Sequence, residues 1–357
     1  MAVEGRFSRH PQSVWALVLV LALGCGDGEM AGTDFSRAGP WETTSVRFEL
    51  VDGSRPTPPS GAFAGAPERR LPTVVTYPRG AAGPLPLLVA SHNLGGGPES
   101  LAYLATHLAS HGFVVAAPTF PLTSLSSSTG VGFELSDIPN QAGDVGFVID
   151  RLLAAGPADL PGITAPLDPD AVGLFGVSGG ALTTQLATFD RARRDRRVAA
   201  AAVIALPLVA LRPYDPVDVM VPVVFVAGTR DLLAAPPDNA RILFESAAPP
   251  RFLAEISGAN HLGFIDPPGL FGDRSNPDLG LCDLLRKLPV DLPDLDCVDD
   301  GGDAFLASEQ QHALTRLVVG TFFDAFLRSS ARSRRALANL PSARDPAALH
   351  VQADDPR

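Results

Sequence analysis

Gly176-Val177-Ser178-Gly179-Gly180 is a G-x-S-x-G pentapeptide. A serine with glycines two positions to either side fits a sharp strand-to-helix turn, where the crowded backbone excludes larger side chains. Such a turn lifts the hydroxyl above a sheet and aims the start of the next helix at it. The flanks agree: Ala171 to Phe175 is an apolar run of strand type, and a small-residue stretch of helical type covers about 179–189. A serine hydroxyl attacks a carbonyl only with a base beside it, so the chemistry in view is acyl transfer through Ser178.

The base is sought among 7 histidines. His10 belongs to the N-terminal leader and His350 to a polar C-terminal stretch. His107 and His111 stand one turn apart at the end of a helix without a third ligand, so they read as surface or capping residues rather than a metal site. His312 falls in the last helix, and His92 reads as a structural residue bonding its own loop. His261 remains, in the loop Ser257-Gly258-Ala259-Asn260-His261 directly after a strand at 251–256. From the carboxyl end of a late strand it can reach Ser178 across the top of a parallel sheet, in the chain order nucleophile, acid, base. The acid expected between them is Asp231, which ends the run Gly228-Thr229-Arg230-Asp231 after the strand Val221 to Ala227. Asp215 and Asp218 lie at the wrong end of that strand, Asp238 reads as a helix cap and Asp266 is too close to His261. Asp231 would fix the imidazole tautomer and stabilise the imidazolium.

Acyl transfer also needs two N–H groups aimed at the developing oxyanion. Gly179 supplies one by position, and Leu94, in His92-Asn93-Leu94-Gly95-Gly96, the other. A phosphate-cradle reading of Gly95-Gly96-Gly97 lacks both a following Lys-Ser/Thr and the G-x-G-x-x-G spacing. Asn93, Leu122, Leu125, Phe133, Leu262 and Phe264 are the candidate substrate pocket. No cofactor and no metal are expected.

The elements that must carry these residues alternate along the chain. Strands are expected at 73–77, 85–91, 113–117, 171–175, 198–206, 221–227 and 251–256; helices at about 99–111, 140–155, 179–189, 238–247 and 304–328. Strands apolar on both faces and joined by helices form a mostly parallel central sheet covered on both sides, an α/β class. Val46 to Val51 is a further strand candidate, placed antiparallel at the sheet edge.

The chain has 357 residues, of which 46% are hydrophobic and 19% charged, which excludes wholesale disorder. Its 39 acidic and 28 basic side chains give a net charge of -11, which argues against a nucleic-acid partner. Residues 1–24 resemble a secretion signal: Arg6 and Arg9 precede the uncharged run Val14 to Leu23, too short to span a bilayer. Ala22-Leu23-Gly24-Cys25 resembles the lipobox of bacterial lipoproteins, with Cys25 as the lipidated first mature residue; an ordinary signal with an incidental cysteine is the alternative. The expectation is an exported protein, held to the membrane only by that N-terminal anchor or else periplasmic or extracellular. Residues 25–44 are expected as a flexible tether, 45–330 as one domain with a loop at 121–137 and an insertion at 266–302, and 331–357 as a polar tail. In an oxidising compartment Cys282 and Cys297 are expected as a disulfide, worth about 3 kcal/mol by loop closure; free thiols in a reducing cytoplasm are the alternative.

LPTVVTYPRG, PLLVASHNLGGGPESLAYLATHLASHGFVVAAPTFP, GVSGG, VPVVFVAGTRD and GANHLGFID occur in the order found in the α/β-hydrolase superfamily. Over about residues 45–328 the chain resembles its dienelactone-hydrolase-like, platelet-activating-factor-acetylhydrolase-like and cutinase-like esterases. The resemblance implies an α/β-hydrolase fold, a cofactor-free serine ester hydrolase, Ser178, Asp231 and His261 as its triad and a small-molecule or polymeric ester as its partner. Asn93 stands where that family often has Gly, and Val177 where it usually has His or another larger polar residue; Asn93 is expected to narrow the acyl site. Two other readings stay open: a peptidase of prolyl-oligopeptidase type, for which no propeller is present in the sequence, and a non-catalytic surface binding protein. Oligomeric state is left open.

Overall fold

The computed structural model describes residues 33–155, 160, 163, 165–211, 214–266, 276–287, 297–299, 301, 304–340 and 348–356. The signal and Cys25 lie outside these residues.

Nine strands form one sheet. They are β1 (Thr43–Asp52), β2 (Arg69–Pro78), β3 (Leu85–Ser91), β4 (Val114–Pro118), β5 (Leu167–Val177), β6 (Val198–Ile204), β7 (Val223–Gly228), β8 (Arg251–Ile256) and β9 (Leu349–Asp354), in the spatial order β1-β2-β4-β3-β5-β6-β7-β8-β9. The run from β4 to β8 is parallel, and an antiparallel pairing closes each side: β2 on β4 with β1 beyond it, and β9 on β8. Strand residues alternate between the two faces, and both faces are apolar. Val223, Phe225 and Ala227 face one core, and Val224 and Val226 the other. Helices α2 (Ile138–Leu153), α3 (Gly179–Phe189) and α4 (Ala240–Ser246) cover the first face through residues such as Val145, Leu182 and Leu243. Helices α1 (Ala102–Ser110) and α6 (Ser308–Leu327) cover the second through Leu104, Leu108, Val319 and Phe322. This two-sided cover is why the parallel strands read as continuous apolar runs. Helix α5 (Asp278–Leu285) sits in the expected insertion, and α7 (Ala331–Leu337) follows α6. No helix among the described residues is long and apolar enough to cross a membrane.

Two expectations are corrected. Residues 331–357 are not a polar tail throughout. Leu337 is buried, the Ser333 hydroxyl donates to Asp324 at 2.6 Å, and β9 pairs with β8 while burying Leu349 and Val351. The proposed tether cannot be free up to residue 44. Phe35 is 1% exposed and packs against Gly320 of α6 and the His111 ring, and the Trp41 N–H donates to Ser110 O at 3.1 Å. Burial of one aromatic ring is enough to pin such a polar segment, and hydropathy averaged over the segment hides it.

Candidate active site

Every strand of the parallel run ends at the same rim, and the loops that leave it carry the singled-out residues. Ser178 links β5 to α3 with φ 55° and ψ −117°, a conformation that costs a non-glycine residue about 1–3 kcal/mol. The turn is tight enough to explain its glycines. A methyl group on Gly180 would lie 1.9 Å from Ser91 O, and one on Gly176 2.2 Å from Gly180 O. Helix α3 therefore seats its first turn directly on the end of β3.

His261 Nε2 lies 2.8 Å from Ser178 Oγ. On the other side of the ring, His261 Nδ1 donates to Asp231 Oδ2 at 2.8 Å and Oδ1 at 3.0 Å. Asp231 is 2% exposed and held by its own turn, its Oδ1 accepting the N–H groups of Leu233 at 2.8 Å and Ala234 at 2.7 Å. Burial pushes the imidazole toward neutrality, but the charge and hydrogen bond of Asp231, aided by Asp278, outweigh it. His261 thus sits above the 6.5 of an ordinary histidine. Ser178, His261 and Asp231 are thereby brought together in one hydrogen-bonded run, which can take a proton from the serine and hold it on the imidazole.

Leu94 and Gly179 are also neighbours: a methyl on Gly179 would lie 3.1 Å from Leu94 N. Neither N–H donates a hydrogen bond among the described residues. The loop that presents Leu94 is fixed from behind by His92. Its Nδ1 donates to Asn93 O at 2.8 Å and its Nε2 accepts the Phe120 N–H at 3.1 Å. Burial pushes His92 down to about 4, so it stays neutral. Asn93 has no left-handed backbone to strain it. Its Nδ2 donates to Leu94 O at 3.2 Å, and its Oδ1 is buried without a partner.

A cleft of about 320 Å³ opens onto Ser178 and His261. Of the expected pocket, Asn93, Leu125, Phe133 and Leu262 line it. Leu122 and Phe264 do not: both are fully buried away from it, because their loop backbones turn those side chains into the protein interior. Leu182, Pro207, Leu233, Leu281, Leu284 and Leu285 complete an apolar wall that periodicity could not assign. Among the described residues, Glu99 and Asp266 are the acidic lining residues, and no Arg or Lys lines the cleft. His107 and His111 are not surface residues. They pack as a ring pair beneath Phe35, and His111 Nε2 bonds Arg37 O at 3.0 Å.

Asp278 was not foreseen. Asn276-Pro277-Asp278 before an apolar run signals a helix start, but nothing in the sequence says where that carboxylate points. It is fully buried behind His261 and accepts the His261 N–H at 2.8 Å, the Leu262 N–H at 3.0 Å and the Leu232 N–H at 3.2 Å. Burial and the neighbouring Asp231 charge push its pKa up, while His261 and the N–H groups oppose them. Cys282 and Cys297 form a disulfide, so α5 is cross-linked to a later residue of the same insertion.

No family model and no curated protein matches this chain. Among solved structures it is similar to a ferulic acid esterase from Streptomyces cinnamoneus, at 22% identity and a TM-score of 0.57, covering 81% of this chain and 91% of that one. The chain has the α/β-hydrolase fold. The serine turn after β5 and the histidine loop after β8 meet at the carboxyl rim of the parallel strands.

Proposed function

We propose that the protein is a serine hydrolase that cleaves carboxylic esters through an acyl-enzyme. The observation that carries this reading is the hydrogen-bonded run Ser178–His261–Asp231 at the mouth of an apolar cleft. His261 Nε2 removes the Ser178 proton as Oγ attacks the ester carbonyl. The carbonyl oxygen becomes an oxyanion, for which the neighbouring N–H groups of Leu94 and Gly179 are the donors in this reading. The imidazolium, balanced by Asp231, returns its proton to the departing alkoxide. Water then attacks the acyl-serine with its proton passing to His261, and collapse releases the acid and restores Ser178.

The apolar wall supports a neutral, hydrophobic acyl or alcohol group. The likeness to a ferulic acid esterase adds aromatic-acid esters to the candidates. Export is part of the same reading. The disulfide favours an oxidising compartment, and the N-terminal signal pattern with Cys25 favours a lipid-anchored one. The test is a panel of p-nitrophenyl esters from acetate to octanoate, methyl ferulate and a prolyl peptide anilide. Ester hydrolysis that disappears in S178A is expected. Turnover of the anilide alone, or none at all, overturns the reading.

A further inference from the structure

The loops that carry the base and the acid leave different strands, and a single carboxylate joins them. Asp278 Oδ2 accepts both the His261 N–H, in the loop after β8, and the Leu232 N–H, in the loop after β7. Its Oδ1 accepts the Leu262 N–H. Asp278 itself is set by Asn276, whose Oδ1 accepts the Asp278 N–H at 3.0 Å and whose Nδ2 donates to Arg230 O at 3.4 Å. Four residues along α5, Cys282 is tied to Cys297, and Arg230 pairs with Asp299 and lies over the Phe305 ring at 4.3 Å. The insertion therefore clamps the acid loop from both ends of the bridge. Asp278 touches neither Ser178 nor the cleft.

Among the described residues, the charged groups that face His261 are Asp231 from the β7 loop and Asp278 from α5. Asp283 of α5 pairs with Arg286 just beyond its end, and the Arg230 guanidinium is engaged by Asp299. Burial and the Asp231 charge raise the Asp278 pKa to about 6 against the pull of His261 and the backbone N–H groups, so its carboxylate is charged, and available to the imidazolium, above that pH.

We propose that Asp278 is a second, non-contacting carboxylate of the site: a positioning residue that locks the His261 and Asp231 loops together and stabilises His261 in its protonated form, with the Cys282–Cys297 bridge keeping α5 in place. This rests on the ester-hydrolase reading and deepens it. His261 must be neutral to accept the Ser178 proton, so activity falls as pH drops through the His261 pKa. Removing a negative charge near the imidazole lowers that pKa, and the acid limb must move to lower pH.

The experiment compares wild type, D278N and the double variant C282A/C297A over pH 5 to 9 on p-nitrophenyl butyrate. Melting temperature and fluorophosphonate labelling of Ser178 are followed in parallel. For D278N a fall in kcat of about tenfold to a hundredfold with KM little changed is expected. The acid midpoint of kcat/KM should move down by about one pH unit. A purely structural role would lower the melting temperature and the active fraction but leave the midpoint of the surviving enzyme unmoved, and that result overturns the proposal. If D278N does not fold, the double variant decides. It keeps Asp278 but frees α5, so a severalfold loss of kcat with the labelling site intact supports the clamp, and wild-type kcat refutes it. A wild-type protein that neither labels at Ser178 nor hydrolyses the ester sinks the parent reading instead.

Discussion

Replacing Asp231 by Asn separates the charge of the acid from its shape. Asp231 Oδ1 already accepts two backbone N–H groups, from Leu233 at 2.8 Å and Ala234 at 2.7 Å, while Oδ2 faces His261 Nδ1 at 2.8 Å. An asparagine there must keep its carbonyl oxygen toward the two N–H groups, because its amide cannot accept from them. Its NH₂ then replaces Oδ2 and donates to Nδ1. The imidazole is forced into the tautomer with its proton on Nε2, pointing at Ser178, and cannot take the serine proton. The expected loss in kcat is about 10⁴, equivalent to about 5 kcal/mol in the barrier. The two turn hydrogen bonds survive, so the melting temperature should change little. Steady-state kinetics of D231N on p-nitrophenyl butyrate, alongside a thermal melt, measures both. Turnover within tenfold of wild type in a folded D231N would refute the assignment of Asp231 as the partner of His261.

Other consequences can be measured separately. The acid limb of kcat/KM in wild type should have its midpoint above 6.5, since His261 is raised and loses its basicity as pH falls through its pKa; a midpoint near 5 would contradict the charge balance around it. His92 is held neutral with a pKa of about 4, against 6.5 in the unfolded chain, so it contributes stability above 6.5 that is lost as pH falls toward 4, about 3 kcal/mol in all. The urea midpoint of wild type should therefore lose its advantage over H92Q between pH 7 and pH 5, and a constant difference would be inconsistent. G180A places a methyl 1.9 Å from Ser91 O and should cost about 3 kcal/mol or more, seen as a large drop in melting temperature; a wild-type melt would show that the turn is looser than described.

The parallel strands were legible because their residues are apolar on both faces, a pattern that survives without any knowledge of neighbours. Ser178, Asp231 and His261 were legible because each follows a strand at its carboxyl end, so sequence order implied spatial convergence. Asp278 was not, because its partners are backbone N–H groups of distant loops, and no side-chain pattern marks an N–H as a target. Strand β9 was missed for a simpler reason: Leu349-His350-Val351-Gln352 offers only two inward apolar residues, too few for periodicity to register inside a polar context. Phe35 failed likewise, as a lone ring whose burial depends on the cleft between α1 and α6 rather than on its own segment. Leu122 and Phe264 were assigned to the pocket from their loop positions, and side-chain direction within a loop is set by turns that the sequence does not display.

The most direct test of the account is the site of covalent modification. Intact mass and peptide mapping after treatment with a fluorophosphonate should give one adduct, on Ser178, formed faster as pH rises through the His261 ionisation and absent in S178A and strongly slowed in H261A. Modification of another serine, or labelling of Ser178 at the same rate in H261A as in wild type, would contradict the claim that the hydroxyl is activated by the imidazole it faces.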